Sequence, residues 1–149
     1  DVLVVTSGIC TEEAMRARSA LTKAGLSIRH LHIHTIKPFN SEALLDHIQS
    51  VKHGVVVLEN HVTEGGIGSL VAETMADNGV GKRLIRLGLK DTYAHGGSRP
   101  YLMRYYGLDA LALTRGIENL MGAEFGITED DLDQARVDDV HSLVKAEAL

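Results

Sequence analysis

The groups best suited to chemistry in this 149-residue chain fall in four short stretches. In the first, Glu59-Asn60-His61-Val62-Thr63-Glu64-Gly65-Gly66-Ile67-Gly68-Ser69, a base (His61) and a carboxylate (Glu64) stand ahead of Gly65, Gly66 and Gly68, and Ser69 adds a hydroxyl. Glycines that open a helix present free N–H groups, a geometry that holds anions. The nucleotide-binding forms of that geometry do not match. The dinucleotide fingerprint is G-x-G-x-x-G and the order here is G-G-x-G; the phosphate loop ends in G-K-[ST], and no lysine stands beside Ser69. Two uses stay open: a ligand site at His61 and Glu64, or a strand-to-helix turn in which Glu64 caps the helix and His61 is packed or solvated.

The second stretch, His95-Gly96-Gly97-Ser98-Arg99-Pro100, gathers an imidazole, a hydroxyl, a guanidinium and helix N-terminal amides. It could hold a carboxylate or phosphate, or Ser98 and Arg99 could simply begin a short helix at an interface. The third, His30-Leu31-His32-Ile33-His34, places three imidazoles on one face of a strand. A strand splays the rings apart, and zinc requires tetrahedral convergence with a ligand from another element, so hydrogen-bonded or subunit-facing histidines are expected rather than a metal site. The fourth is Cys10, near a helix N-terminus but with no base to activate it, and an inert thiol is expected. Neither G-x-S-x-G nor H-E-x-x-H occurs, which leaves hydrolase readings without support.

The elements that position these groups alternate. Val2 to Thr6 is an apolar, β-branched run expected to be a strand buried on both faces. A helix follows, with Thr11 as expected N-cap, acidic Glu12 and Glu13 in its first turn, and Gly25 at its end. Ile28 to Ile36 alternates as a second strand, stopped by Pro38, and Asn40 or Ser41 caps a second helix carrying Leu44 and Ile48. Gly54 to Leu58 is the third strand, Leu70 to Ala76 the third helix, and Lys82 to Leu89 a fourth strand whose interleaved polar residues suit an edge. Pro100 opens a short helix ended by Gly107, Thr114 to Met121 forms another, and an amphipathic helix is expected from Thr128 onward. Such alternation implies a parallel sheet with helices on both faces. Polar residues just past the carboxyl ends of central strands stand where open α/β sheets bind ligands. If the strand order reverses beside the first strand, the loops Ser7 to Thr11 and Asn60 to Gly66 flank that crevice.

Composition removes several function classes. The net charge is −5 with no basic cluster, which speaks against nucleic acid. No apolar run approaches the ~20 residues needed to cross a bilayer. One cysteine and no leader segment make a reducing cytoplasm the expected setting. The chain begins at Asp1 directly in a buried-type strand, without an initiating methionine, and is expected to be part of something longer.

The TSG turn, HTIKPF, GVVVLENHVTEGGIGS and HGGSRPYLMRYYGLD occur in that order over residues 1–122, and together they resemble the C-terminal domain of the transketolase superfamily. HTIKPFNSEAL is similar to 1-deoxyxylulose-5-phosphate synthases and to beta subunits of 2-oxoacid dehydrogenases, which more often have Leu and Asp where Phe39 and Asn40 stand. AHGGSRPYLMRYYGLDA looks more like transketolases, especially bacterial ones made as two shorter subunits. The resemblance implies a three-layer αβα, mainly parallel, doubly wound sheet of about four strands in the order 2-1-3-4. The family's antiparallel edge strand is absent from this chain, so the outer edge of the second strand is expected to lie open. Residues 1–122 would form the core and 123–149 a helical extension of the same domain.

Functionally, the resemblance implies an enzyme moving a two-carbon ketol unit between sugar phosphates on thiamine diphosphate. The cofactor and its Mg²⁺ would lie between the two preceding domains, across a homodimer interface. No catalytic or cofactor residue is therefore assigned to this chain. Its expected partners are the preceding domains or an N-terminal subunit. The alternatives are the C-terminal domain of a 2-oxoacid dehydrogenase beta subunit, that of a 1-deoxyxylulose-5-phosphate synthase, or an independent anion- or partner-binding module using the crevice at His61 and Glu64.

Overall fold

In the computed structural model, which describes residues 1–135, strands and helices alternate as the apolar periodicity requires: β1 (Val2–Thr6), α1 (Cys10–Lys23), β2 (Ile28–His32), α2 (Ser41–Ser50), β3 (Gly54–Val62), α3 (Ile67–Asp77), β4 (Arg83–Leu89), α4 (Arg99–Tyr105) and α5 (Ala110–Met121). Residues 129–135 are also helical. All four strands are parallel, in the order β2-β1-β3-β4. The order reverses between β1 and β3, which sets the crevice at their carboxyl ends.

Side-chain alternation along the two central strands builds two cores. Val2 and Val4 of β1 and Val56 and Leu58 of β3 face Ala14, Ala17 and Leu21 of α1 and Leu113 and Ile117 of α5. Leu3, Val5, Val55 and Val57 point the other way, onto Leu44 and Ile48 of α2 and Ile67, Val71 and Met75 of α3. Each such Val, Leu, Ile or Met side chain, buried from water, contributes about 1.5–3 kcal/mol, which makes this alternation the main force selecting the three-layer arrangement.

Charged side chains from distant elements close several helix ends. Lys82, just ahead of β4, points its ammonium at the carboxyl end of α2 and donates to the carbonyls of Ile48 (2.8 Å), Gln49 (2.9 Å) and Val51. Arg83 does the same for α5, donating to the carbonyls of Asn119 (2.7 Å) and Leu120 (3.2 Å). At the opposite pole of α5, buried Glu13 accepts from the Ala110 N–H at 2.9 Å. Cations at carboxyl ends and anions at amino ends match the helix dipole and satisfy groups that the helices leave unpaired.

Several element boundaries differ from the sequence expectations. α1 starts at Cys10 with Ile9 at its N-cap and no side-chain cap, so Thr11 is not the capping residue; its hydroxyl instead faces Thr6 and His32. β2 stops at His32 rather than Ile36 because β1, its partner, ends at Thr6. α3 and α5 each begin earlier, at Ile67 and Ala110. Asn40 does cap α2, accepting from Ala43 N–H at 3.0 Å. The expected final helix starts after Thr128, where Asp131 accepts from the Thr128 N–H and hydroxyl (2.8 and 2.7 Å); its continuation past residue 135 lies outside the described residues. The largest departure is β3, which runs through Val62 instead of ending at Leu58. Pairing with β4 jumps from Leu58↔Leu87 to Val62↔Leu89, so three residues of β3 arch away from the ladder as a bulge.

Candidate functional site

The bulge carries Glu59 into the interior, where it is 2% exposed. Its two carboxylate oxygens accept from the first N–H groups of α3, Ile67 at 2.8 Å and Gly68 at 2.9 Å. Ionised acceptors at a helix N-terminus make short, strong bonds. The amides that make such a loop attractive to phosphate are thus already taken by an anion that the chain supplies. Gly66 and Gly68 leave room for it: a Cβ at 66 would stand 2.1 Å from Glu59 Oε2, and one at 68 would stand 3.0 Å from Oε1. Glu64, the expected cap, is exposed and accepts only from the Thr63 hydroxyl, at 2.9 Å. The N–H groups of Ile67 and Gly68 that it would have capped are taken by Glu59.

The other residues of this loop are held as structure. Ser69 Oγ accepts from Gly65 N–H (2.9 Å) and donates to the Thr63 carbonyl (3.2 Å), closing the turn on itself, and Arg86 donates to the same carbonyl at 3.1 Å. His61 is exposed, with Nδ1 on the carbonyl of Val62 at 2.7 Å. Ser7 is half-buried at the end of β1.

At the crevice itself, a cavity of about 260 Å³ is lined by Ile9, Asn60, Leu89, Gly97, Arg99 and Tyr106, among others. Ile9 and Asn60 come from the two loops expected to flank the crevice, and Gly97 and Arg99 from the second stretch; the Arg99 guanidinium is paired with Glu12 at 2.5 Å. His95 faces an aromatic group instead. The Tyr106 hydroxyl accepts from the His95 backbone N–H (3.1 Å) and lies 2.9 Å from Nδ1, Tyr101 OH is 3.2 Å from Nε2, and Tyr105 packs edge-on at 4.9 Å between ring centres. Ser98 occupies the N-cap of α4 without a side-chain bond. The loop is therefore ordered by tyrosines that the sequence reading did not single out: Tyr101 and Tyr105, four apart, share one face of α4, a spacing visible in the sequence, while Tyr106 is its C-cap and reaches His95 from the end of the helix.

The histidine run splits. His30 is half-buried and its Nε2 lies 2.8 Å from Thr6 Oγ1, which in turn meets Thr11 Oγ1 at 3.0 Å, and Thr11 meets His32 Nδ1 at 2.7 Å. Burial, then the neighbouring Arg18 and His32, hold His30 below the ordinary histidine range and favour its neutral form. Among the described residues no group of three or more His, Cys, Asp or Glu converges as a metal centre.

Two further carboxylates are absent from the sequence reading as interior groups. Glu13 also pairs with Arg16 (2.8 Å), which continues to Asp133 at 3.0 Å and so ties the segment 129–135 to α1. Glu118 accepts from Phe125 N–H (2.9 Å) and Arg115 (2.6 Å). Burial pulls its pKa up, yet the Phe125 and Arg115 bonds together outweigh it and hold the group below the usual carboxylate range.

Cys10 is fully buried, and burial, with the carboxylates of Glu13 and Glu59 nearby, pushes its thiol up to about 12. Thiolate, the reactive form, is then negligible at neutral pH despite the helix N-terminus. The native chain is expected to leave Cys10 unlabelled by a thiol-specific disulfide reagent at pH 8 and to react with one equivalent in denaturant. Fast labelling of the native form contradicts this picture.

A diphosphate bound at α3 would have to displace the Glu59 carboxylate, so the residues there do not fit such a group. The interior carboxylates Glu13, Glu59 and Glu118 are each engaged by backbone N–H groups. Residues 1–113 match the family model described as the C-terminal domain of transketolase. The chain belongs to this family. A transketolase C-terminal section from Methanocaldococcus jannaschii is 36% identical over 83% of this chain and 38% of its own length. A 6-deoxy-6-sulfo-D-fructose transketolase subunit from a Clostridium species is 36% identical over 77% of this chain and 35% of its own. A 1-deoxy-D-xylulose-5-phosphate synthase from Syntrophotalea carbinolica is 33% identical over 85% of this chain and 20% of its own. A solved split-gene transketolase, an inactive β4 tetramer, superposes with a TM-score of 0.73 at 29% identity, over 83% of this chain and 40% of that one. This transketolase C-terminal domain therefore spans well under half the length of the relatives it matches. Among the described residues no helix is long and apolar enough to cross a membrane.

Proposed function

We propose that this chain is the C-terminal domain of a transketolase-type enzyme that transfers a two-carbon ketol unit between sugar phosphates, with the domain supporting a homodimer rather than performing chemistry. The observation that carries this is the use of the interior charges. Glu59, Glu13, Lys82 and Arg83 are all committed to helix ends, a pattern that stabilises a scaffold and withholds these interior charges from proton transfer. Thiamine diphosphate and Mg²⁺ belong, in this reading, to other domains or to an N-terminal subunit of a cytoplasmic enzyme. A cofactor of this kind supplies the carbanion-stabilising chemistry when bound; the residues described here contribute rigidity and contact surface.

The chain alone, given thiamine diphosphate, Mg²⁺, a ketose phosphate donor and an aldose phosphate acceptor, is expected to show no ketol transfer. Activity should emerge only when it is joined to the domains that precede it in transketolases. Robust turnover by the isolated chain overturns the proposal. The anion-binding alternative predicts saturable heat on titration with phosphorylated sugars, and the occupied amides of α3 predict none.

A further inference from the structure

Residues 82–90, K-R-L-I-R-L-G-L-K, interleave four cations with five uncharged residues and contain no acid, although the chain as a whole carries −5. Among the described residues none of the four forms an ion pair with a carboxylate. Lys82 and Arg83 donate to carbonyls at helix ends, Arg86 donates to the Thr63 carbonyl, and Lys90 is exposed. Helix ends answer the first two charges in part, but Arg86 and Lys90 have no such counterpart. The strand that carries them is also open. β4 (Arg83–Leu89) pairs with β3 on one side and, among the described residues, with no strand on the other, so its outward N–H and C=O groups lack a ladder partner.

The two faces of β4 differ in chemistry. Alternation turns Ile85 and Leu87 to the α5 side, against the first core, and Leu84 and Arg86 to the α3 side. These aliphatic side chains are half-exposed, whereas those of β1 and of β3 from Val55 to Leu58 are buried. Beside the strand lies a cavity of about 540 Å³, lined by Ile85, Leu87 and Gly116 and by Arg86, Lys90 and Arg115, among others, with no carboxylate in its lining among the described residues. Arg115 is paired with Glu118, so Arg86 and Lys90 supply the field of the cavity. We propose that this edge receives an acidic, extended segment of another polypeptide as a fifth strand of the sheet. Main-chain bonds to β4 hold the segment, apolar side chains at alternate positions enter the cavity over Ile85 and Leu87, and the carboxylates between them face Arg86 and Lys90. A second copy of β4 is the poorer occupant, because it sets its own cations against these, and like charges across a strand pair repel. The charges that keep the edge from pairing with itself thus select an acidic guest.

The test titrates the intact ¹⁵N-labelled chain with a synthetic peptide as long as β4, made of alternating glutamate and valine. Two control peptides carry lysine in place of glutamate, or the same composition with the glutamates in one block. The expected result is saturable binding of the alternating peptide, weakened by added salt, with slowed hydrogen exchange at every second amide of β4, the signature of a ladder on its outer edge. Both controls should bind about 5-fold more weakly or worse. Lys90→Glu should weaken binding of the alternating peptide about 5-fold or more and Arg86→Gln several-fold, each with unchanged circular dichroism, while Lys37→Glu, beyond the opposite edge of the sheet, should bind as the parent does. Absence of saturable binding, equal affinity for the alternating and blocked peptides, protection away from β4, or a Lys90 variant that binds as the parent does overturns the proposal. A dimer with β4 protected in the absence of peptide means that a second copy holds the edge, and overturns it as well.

Discussion

Replacing Glu59 with alanine is expected to remove about 3–5 kcal/mol of folding stability, read as a lower urea midpoint at an unchanged slope. The residue makes two charge-assisted bonds inside the protein, and truncation leaves the N–H groups of Ile67 and Gly68 buried without an acceptor. Each orphaned amide costs about 1–3 kcal/mol, and the cavity left behind adds to this. Glu59→Gln keeps one accepting oxygen but turns a donor toward the second amide, so a loss of roughly half that size is expected. A distinctive second readout exists. The alanine variant frees an anion hole, so formate or acetate should restore part of its stability by binding the folded form, whereas the parent should gain nothing. An alanine variant as stable as the parent, or one indifferent to these anions, rules out the capping role.

Gly54→Ala is the other change of this size. Gly54 adopts φ +150°, a conformation open only to glycine, and a Cβ there would lie 2.3 Å from the backbone oxygen of Arg83 and 3.2 Å from Leu120. It stands on the first rung shared by β1, β3 and β4, opposite Val2 and Arg83. Relief would require β4 to move outward, and Arg83 would then lose its hold on the carboxyl end of α5. Backbone strain of about 1–3 kcal/mol and a comparable packing term should sum to at least about 3 kcal/mol. Gly122→Ala is the comparison: φ is +65° there, with nothing within 4 Å of the added methyl, so only the conformational cost of about 1 kcal/mol applies. Equal losses in the two variants would show that the contact with Arg83 is not what matters.

The α/β class was legible because Val2 to Thr6 and Gly54 to Leu58 are largely apolar runs of the kind that central strands of a doubly covered sheet require, whereas the strand order 2-1-3-4 followed from the resemblance of the ordered motifs to the transketolase C-terminal domain. The extension of β3 was not legible. Glu59, Asn60 and His61 look like loop residues, and it is the renewed pairing of Val62 with Leu89 that keeps them in the strand. Capping rules search within about three residues of a helix start, so they point to Glu64, while the group that caps α3 lies eight residues before Ile67. The roles of Glu13, Lys82 and Arg83 span 31 to 97 positions and depend on which elements become neighbours. Local spacing does place the histidines on one face, but it does not reveal that Thr6 and Thr11, from another strand and helix, divide His30 from His32.

The fit between Glu59 and the glycines facing it also constrains how this sequence can change over generations. Positions 59, 66 and 68 occupy one shared volume, so the tolerance of each depends on the state of the others. A larger residue at 66 is admissible only after 59 has shortened, and shortening 59 first strands two amides. Either order crosses a low-stability intermediate. Lineages should therefore hold the three as a block, or replace them as a block, and single-step drift at any one of them should be rare.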